Sequence, residues 1–586
     1  MIPLHAMNDS PNSLRERTAR PAYLNFNEHE NDFSLVSLTV QTPTSKQVPT
    51  SLTRPPTPPR WKTPEFLIYG LLFLIVFPFM VYSPIQASSE SHPNYHLFQY
   101  KLSQGWINGR RVDISDPQYR SFRGNFLNLC ALAVLHLVIT KSYGFFVSKY
   151  GSRSTGKRND NLHRIPFTAG FATLLIIGLH GSSSFKVFAI IVINYLLAKR
   201  LGGLRIAPII LWTVNLLILF SNEYYDGYRF SSIHPSLDYL DTYRGAYPRW
   251  HITFNIAMLR LLSFSLDYHW ACGRESAQLS SVPMNARQRS SNPHSLASYN
   301  FINYVAYTLY PPLYIAGPIM TFNDFYWQFR RPIYISRDGL LGYAIRFGIC
   351  TLTMEVLLHY MYVVAIKDAK AWYGDTPMEL CMIGFWNLVV VWLKLLIPWR
   401  FFRLWALIDG IDPPENMIRC LANNYTVSGF WRGWHRSYNQ WLIRYIYVPL
   451  GGSSNVVLAT LLSFTFVALW HDLELRLLAW GWLVTLFILP ELILGKVFTE
   501  KQYGTFWWYR HLRAIGGVGN VLMLMVANLV GFVIGTEGMK YLAGQLLGSL
   551  SGLGFLVLAC ACLFIGVQFM LEYREEEKRH GIYRKC

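Results

Sequence analysis

The sequence predicts an all-α membrane protein that crosses the bilayer many times, and three observations support this fold class. Hydrophobic residues make up 52% of the 586 residues and charged residues only 15%, whereas soluble proteins carry about 25% charged residues. The mean hydropathy is positive, at +0.21. Apolar segments long enough to cross a membrane recur along the chain, and an excess of basic over acidic residues gives a formal net charge of +19.

This composition excludes several other classes of protein. A disordered chain, a fibrous repeat and a secreted disulfide scaffold all require a different balance of residues. A nucleic-acid-binding protein is disfavoured because the basic excess comes with few charges and much apolar surface. In a polytopic membrane protein, basic residues concentrate in the cytosolic loops.

The predicted organisation has three parts. Residues 1–62 are rich in Ser, Thr, Asn and Pro. That composition buries too little apolar area to offset the entropy of ordering, so we expect a disordered cytosolic tail. Residues 63–573 form a multi-pass membrane domain, and residues 574–586 form a charged C-terminal tail.

The first membrane-spanning segment extends from about Pro64 to Tyr82, long enough for a hydrocarbon core of about 30 Å. We expect about 10–12 transmembrane or re-entrant helices, because several later apolar segments are short or contain Pro and Gly. The further candidates are residues 126–147, 165–181, 185–199, 206–220, 251–270, 300–320, 339–366, 380–408, 455–470, 475–495, 514–536 and 550–571.

Basic loops indicate the orientation of the chain. Lys and Arg concentrate in residues 149–164, 199–205 and 274–289, and the positive-inside rule places such loops in the cytosol. Counting the spans back from the first of these loops places the N-terminal tail in the cytosol as well.

Residues 423–452 form a polar and aromatic segment, NNYTVSGFWRGWHRSYNQWLIRYIYVPLGG. An amphipathic helix in the membrane interface would have this composition, with aromatic residues at headgroup level and cations reaching into water. A binding or catalytic site would have it too. The polar residues at issue are Arg432, His435, Arg436, Asn439, Gln440 and Arg444.

His471 closes the apolar helix predicted over residues 455–470 and is followed by Asp472 and Glu474. An ionisable residue at the end of a membrane segment is by default a candidate for function. The alternative is a helix-end histidine that interacts favourably with the helix dipole.

The two histidines, taken with their flanking motifs, resemble the signature of the membrane-bound O-acyltransferase family. The motif WHRS contains His435, the motif FVALWH ends at His471, and the segment from Tyr310 to Ile319 resembles a Gly-Pro-containing segment upstream of the family's site. The resemblance is clearest over residues 300–500, where we expect the catalytic region. The run WLIRYIYVPLGGS resembles the Hedgehog acyltransferase branch, whose first polar position is Asp rather than His. The chain is therefore most similar to the fungal glycerol-uptake (Gup) branch.

The resemblance implies an enzyme of the endoplasmic reticulum membrane that remodels GPI anchors, with the plasma membrane as a second location. It would move a long acyl chain from acyl-CoA to a hydroxyl of a lipid acceptor, lyso-phosphatidylinositol. No permanently bound cofactor, metal or nucleic-acid partner is expected, and the partners are acyl-CoA, the GPI-anchor or another lipid acceptor, and membrane lipids.

Acyl transfer needs a base for the attacking hydroxyl, a group that steadies the oxyanion, and exclusion of water. His471 is the candidate base, because an imidazole of ordinary pKa, about 6.5, is neutral and accepts protons near pH 7. His435 is the second catalytic candidate, as a hydrogen-bond donor to the thioester carbonyl or as a group that orients the acceptor. The candidate substrate-binding residues are Arg432, Arg436 and Arg444, for the phosphates of acyl-CoA, together with Trp434 and Asn439.

Two other functions remain open at this point. A proton-coupled glycerol transporter would use intramembrane His and acidic residues as a proton relay, although the hydropathy shows no inverted repeat. A protein palmitoyltransferase would keep the enzyme class and take a Cys or Ser of a secreted protein as its acceptor.

Overall fold

The computed structural model describes residues 57–150, 160–273, 284–471 and 473–584, and nearly all the regular structure in these ranges is helical. The disorder predicted for residues 1–62 therefore falls largely outside the described residues, as does Asp472. The described N-terminal elements are α1 (Pro64–Ala87), α2 (Tyr95–Phe98), β1 (Ser103–Gln104), β2 (Arg111–Val112) and α3 (Pro117–Gly124). β1 and β2 pair antiparallel, with Ser103 opposite Val112.

The remaining helices occur in four groups along the chain. The first comprises α4 (Phe126–Tyr150), α5 (Arg164–His180), α6 (Ser184–Leu201), α7 (Ala207–Tyr224) and α8 (Trp250–Cys272). The second comprises the shorter helices α9 (Ala286–Ser291), α10 (Phe301–Thr308), α11 (Pro311–Tyr314) and α12 (Phe322–Arg330), followed by α13 (Arg337–Tyr360), α14 (Val363–Asp368) and α15 (Pro377–Asp409). The third comprises α16 (Val427–Gly433), α17 (Arg436–Leu442) and α18 (Val456–His471). The fourth comprises α19 (Leu475–Val497), α20 (Glu500–Tyr503), α21 (Trp507–Asn528), α22 (Gly535–Leu547) and α23 (Leu550–Arg579).

Nine helical segments among the described residues are long and apolar enough to cross a membrane, and α18 is a shorter apolar helix. One of the nine, residues 164–201, comprises both α5 and α6. The outer helices expose large apolar side chains, such as Leu67 and Leu74 of α1, as expected for helices that face lipid. The predicted all-α polytopic fold class is confirmed, whereas the proposed boundaries at residues 62 and 573 stay predictions.

Two helices form the centre of the molecule. In the 18-residue apolar stretch of α15, half of the residues are buried inside the protein, whereas the share is 11% in the corresponding stretches of α1 and α23. Most residues of α8 are also buried. The sequence specifies the ends of α15: Thr376 and Glu379 form a capping box at its start, and Gly410 ends it in the left-handed conformation at φ 93°, as C-terminal glycines do. The two buried helices flank the segments that carry the candidate site.

The segment around residues 423–452 is not a continuous helix on the surface. Its apolar face, including Phe430, Tyr438, Trp441 and Tyr445, is buried in the main hydrophobic core. The chain is helical in two short pieces, α16 and α17, and continues from α17 into a π-helical turn over Ile443–Tyr447. The interpretation as an interfacial amphipathic helix therefore does not describe this segment.

Candidate active site

His435 lies at the break between α16 and α17. Its backbone is in the left-handed region, at φ 42° and ψ 51°, which costs a non-glycine residue of order 1–3 kcal/mol and occurs preferentially at functional sites. The backbone N–H of Asn439 donates to the His435 carbonyl at 3.0 Å. The first turn of α17 therefore fixes the histidine backbone in a conformation that the side chain alone would not favour.

Two other segments hold this break in place. Asn416, in the buried connection between α15 and α16, accepts the N–H of Arg436 with its carbonyl at 3.0 Å and the N–H of Ser437 with its side chain at 3.1 Å. The N–H of Ile319 donates to the Ser437 hydroxyl at 2.9 Å. The Gly-Pro-Ile segment singled out in the sequence therefore contacts the turn that follows His435.

Gly317 is required where this segment folds back on α11. A Cβ atom at this position would lie 2.3 Å from the Pro312 carbonyl oxygen and 2.6 Å from the Leu313 Cα. Both neighbours are backbone atoms that cannot move aside cheaply, so only glycine allows the close approach.

A row of aromatic rings connects the two histidines. The Trp399 ring of α15 stacks on His435, with centroids 4.3 Å apart and planes at 25°. On the other side, Tyr438 lies 5.1 Å from His435 and 4.7 Å from Trp470, and Trp470 lies 4.9 Å from His471. The structure therefore brings His435 and His471 to one place, although they are 36 positions apart in the chain.

Helix α8 anchors both histidine-bearing elements. The Trp470 indole N–H donates to the Asn255 carbonyl at 3.0 Å. The Trp441 indole N–H donates to the Leu259 carbonyl at 3.0 Å and to the Ser263 hydroxyl at 2.8 Å. Because these contacts come from the buried helix α8, the positions of α17 and α18 relative to each other are fixed by the core.

The two imidazoles remain accessible in these surroundings. His471 is exposed and His435 is half-buried, and among the described residues neither imidazole has a hydrogen-bond partner. Burial lowers the pKa of His435, which lies outside the nine spans, to about 3, and the nearby His471 lowers it further by repulsion. At neutral pH His435 is therefore uncharged, with one ring nitrogen that can donate and one that can accept.

The candidate substrate-binding residues are less uniform. Arg432 is exposed, Arg436 and Asn439 are half-buried, and Trp434 is half-buried and stacked on Phe430. Their proposed roles stay predictions.

Arg444 is already engaged within the protein. Its Nη2 atom lies 2.6 Å from Oδ1 of the fully buried Asp267 in α8, and its guanidinium lies 4.9 Å from the centre of the Trp270 ring. The role of Arg444 in binding substrate phosphate also stays a prediction, and Asp267 competes with any such anion.

Sequence reasoning missed three residues beside His435. Trp399 stacks on the ring, Asn416 fixes the turn, and Tyr438 contacts both histidine-bearing elements through its ring. The Tyr438 hydroxyl is buried and has no hydrogen-bond partner in the part of the chain that the structure describes. Tyr438 could have been found from its i+3 position relative to His435, whereas no local signal marks Trp399 or Asn416.

Comparison with known proteins shows which family this chain resembles. A family model described as MBOAT, the membrane-bound O-acyltransferase family, matches residues 208–536. The chain is 46% identical over 542 residues to membrane-bound O-acyltransferase GUP1 of Saccharomyces cerevisiae, covering 90% of this chain and 94% of that protein. It is 39% identical over 597 residues to GUP2 of the same yeast, covering 96% and 94%. It is 29% identical over 251 residues to mouse protein-cysteine N-palmitoyltransferase HHAT, covering 40% and 48%.

The protein is thus a multi-pass membrane acyltransferase, a class that takes an acyl donor and a lipid or protein acceptor. The chain belongs to the membrane-bound O-acyltransferase family. Its fungal relatives and the mouse relative bear out the predicted resemblance to the glycerol-uptake branch and its relation to Hedgehog acyltransferase.

Proposed function

We propose that the protein moves a long acyl chain from acyl-CoA to a hydroxyl of a lipid acceptor in the endoplasmic reticulum membrane, and that this acceptor is the lyso-phosphatidylinositol of GPI anchors. The observation that carries the proposal is the pair of neighbouring, accessible imidazoles of His435 and His471, which have no hydrogen-bond partners among the described residues. A structural histidine in a protein core normally has its ring nitrogens satisfied, whereas these two rings are accessible and lie beside each other. That arrangement supports a role in meeting a substrate.

The reaction then needs one proton relay. A nitrogen of His471 takes the proton of the acceptor hydroxyl as that oxygen attacks the thioester carbonyl carbon. The carbon–sulfur bond breaks as the tetrahedral intermediate collapses, and the CoA thiolate recovers the proton from the His471 imidazolium. Such base catalysis contributes about 10²–10⁴-fold in rate.

His435 fits an orienting role. Its ring is held by the Trp399 stack and by the left-handed backbone, so it enters the reaction in one orientation and without a charge. From there its N–H can donate to the acceptor or to the thioester carbonyl. No permanently bound cofactor takes part in these steps.

The donor is acyl-CoA because the histidine segment carries cations beside an apolar environment. Arg432 and Arg436 flank His435 in sequence, and guanidinium groups suit the phosphates of CoA.

A lipid hydroxyl is the favoured acceptor. The fungal relatives are named as membrane-bound O-acyltransferases and match nine tenths or more of this chain. The mouse relative, named as a protein-cysteine N-palmitoyltransferase, matches 40% of it. The position of His435 is Asp in the Hedgehog acyltransferase branch, so this chain departs from that branch inside the site itself.

The test is acyl transfer by the purified full-length protein. Labelled acyl-CoA is offered with lyso-phosphatidylinositol in one reaction and with a peptide bearing an N-terminal Cys in another. We expect the wild type to form labelled phosphatidylinositol. In His471→Ala the rate of this transfer should fall by about 10²-fold or more. The control His580→Ala, which removes an exposed histidine at the end of α23, should keep the wild-type rate. Full activity in His471→Ala would refute the mechanism.

The same protein in liposomes distinguishes the remaining alternatives. Transfer to the peptide but not to the lipid would make the protein a palmitoyltransferase. Proton-coupled glycerol flux without any acyl transfer would make it a transporter.

A further inference from the structure

Three side chains of types that can ligate a metal form a cluster near the C-terminal end of α1, away from the histidine site. His92 follows α1 in the chain, and Asp375 and Glu379 are at the start of α15. The His92 Nε2 atom lies 3.8 Å from Asp375 Oδ1 and 3.9 Å from Glu379 Oε1. One ligand atom of each residue lies within 4.8 Å of the other two.

One of these carboxylates lacks a partner that its burial requires. The side chain of Asp375 is only 2% exposed, and among the described residues its Oδ2 atom is buried with no hydrogen-bond partner. Its Oδ1 atom accepts the Asn94 amide at 2.8 Å. A buried carboxylate with an unpaired oxygen is costly, which makes this carboxylate an independent sign that a ligand belongs here.

The neighbouring groups leave the same space open. The Oε2 atom of Glu379 caps α15 by accepting the N–H and the hydroxyl of Thr376, at 2.8 and 2.7 Å, so Oε1 is available. Among the described residues, no Lys or Arg pairs with Asp375 or Glu379, and Lys370 on the same loop pairs instead with Glu537. Two carboxylates therefore face one imidazole with no fixed cation to balance them.

We propose that His92, Asp375 and Glu379 bind a zinc ion. The His92 Nε2 atom lies 3.8 and 3.9 Å from the two carboxylate oxygens, and all three ligand atoms lie within 4.8 Å of one another. The point equidistant from them is therefore at most about 2.5 Å from each, at or slightly above the Zn–N and Zn–O distances of about 2.0–2.2 Å. A solvent molecule would complete four-coordination. One imidazole with two carboxylates suits Zn²⁺ better than Ca²⁺ or Mg²⁺, which prefer six or more oxygen ligands.

Binding changes one local hydrogen bond. The Asn94 backbone N–H donates to His92 Nδ1 at 3.3 Å. When Nε2 ligates the ion, the imidazole proton resides on Nδ1, so this long hydrogen bond opens. The Zn–N bond replaces it.

The ion would clamp the segment after α1 to the start of α15. That helix carries Trp399, whose ring stacks on His435. The site lies outside the acyl-transfer chemistry, so zinc is expected to act on the stability of the fold and not on the proton relay.

The test uses the full-length protein in detergent, stripped with a chelator and then given ZnCl₂. We expect elemental analysis to find one more tightly bound zinc per chain in the wild type than in His92→Ala. We also expect the melting temperature to rise by about 2 °C when free zinc is one hundred times the dissociation constant. MgCl₂ and CaCl₂ should give no shift.

The matched control is His96→Ala, which removes an exposed histidine from the same segment and should keep both the extra zinc and the shift. Asp375→Asn provides a second variant that should lose them. A wild type that retains no zinc, a zinc content unchanged in His92→Ala, or an equal shift with MgCl₂ would each overturn the proposal.

Discussion

Asp267 and Arg444 form a buried ion pair whose disruption separates two interpretations of Arg444. The pair joins α8 to the turn after α17, with the Arg444 Nη2 atom 2.6 Å from Asp267 Oδ1. The Tyr445 hydroxyl donates to the same oxygen at 3.0 Å. If Arg444 is structural, Asp267→Asn and Arg444→Met both destabilise the fold. If Arg444 binds substrate phosphate, only Arg444→Met changes the kinetics, and it does so by raising the KM for acyl-CoA.

The expected magnitude follows from burial. Asp267 is 0% exposed, and removing one partner of a buried ion pair costs about 3–5 kcal/mol because the other charge is left uncompensated. For a chain of this length, with an unfolding entropy of about 2.1 cal/mol/K per residue, the melting temperature falls by about 2–4 °C. The double variant loses both charges, so its cost should be smaller than the sum of the two single costs by about 1–3 kcal/mol.

Thermal unfolding of the wild type, the two single variants and the double variant, with the KM for acyl-CoA measured in parallel, distinguishes the two roles of Arg444. The control is Gln440→Ala, which truncates an exposed polar side chain of the same segment and should leave the melting temperature unchanged. A raised KM for acyl-CoA in Arg444→Met at an unchanged melting temperature would refute the structural interpretation.

Three further predictions concern the neighbourhood of His435. Burial lowers the pKa of His435 to about 3, below its unfolded value of about 6.5, so its neutral form stabilises the fold above pH 6.5 and this contribution is lost as the pH falls towards 3. His435→Gln should therefore show a smaller decrease in melting temperature between pH 7 and pH 4 than the wild type, and equal decreases would contradict this. Gly317→Ala should lower the melting temperature, because its Cβ would meet backbone atoms at 2.3 and 2.6 Å, whereas Gly342→Ala, with open space at the Cβ, should not. Tyr438→Phe removes a buried hydroxyl that has no partner among the described residues, so it should keep or raise the melting temperature. If that hydroxyl donates to the oxyanion, the same substitution lowers kcat by about 10²-fold. An unchanged kcat would exclude such a donor.

The fold class could be predicted because a membrane-spanning helix is specified locally. A run of about 20 apolar residues is sufficient evidence for one, and segments such as 64–82 and 550–571 fall within α1 and α23. The candidate segment 300–320 contains Pro311 and Pro312, and it is not one continuous helix, since α10 ends at Thr308 and α11 begins at Pro311.

The pairing of buried charges could not be predicted, because the partners are distant in sequence or lie beyond the end of the helix. Lys394 and Arg403 lie inside α15 and could be interpreted as a second group of substrate-binding cations. The structure pairs Lys394 with Asp116, 278 positions away, and Arg403 with Asp412, which lies beyond the end of α15. The zinc ligand His92 is similarly far from Asp375 and Glu379, so no spacing motif marks the cluster.

The candidate site illustrates why irregular backbone inside a membrane protein is informative. Non-helical backbone inside a membrane protein persists only where the protein satisfies its polar groups, and here Asn416 and Ser437 satisfy the groups around the break at His435. Beside these satisfied groups, the Tyr438 hydroxyl and the Asn416 side-chain nitrogen are buried without partners among the described residues, and the two imidazoles beside them have no hydrogen-bond partner there either. Buried polar groups are normally paired, so the two buried atoms favour the proposal that a substrate completes this site. A thioester carbonyl and an attacking hydroxyl together offer the acceptors and the donor that these groups lack.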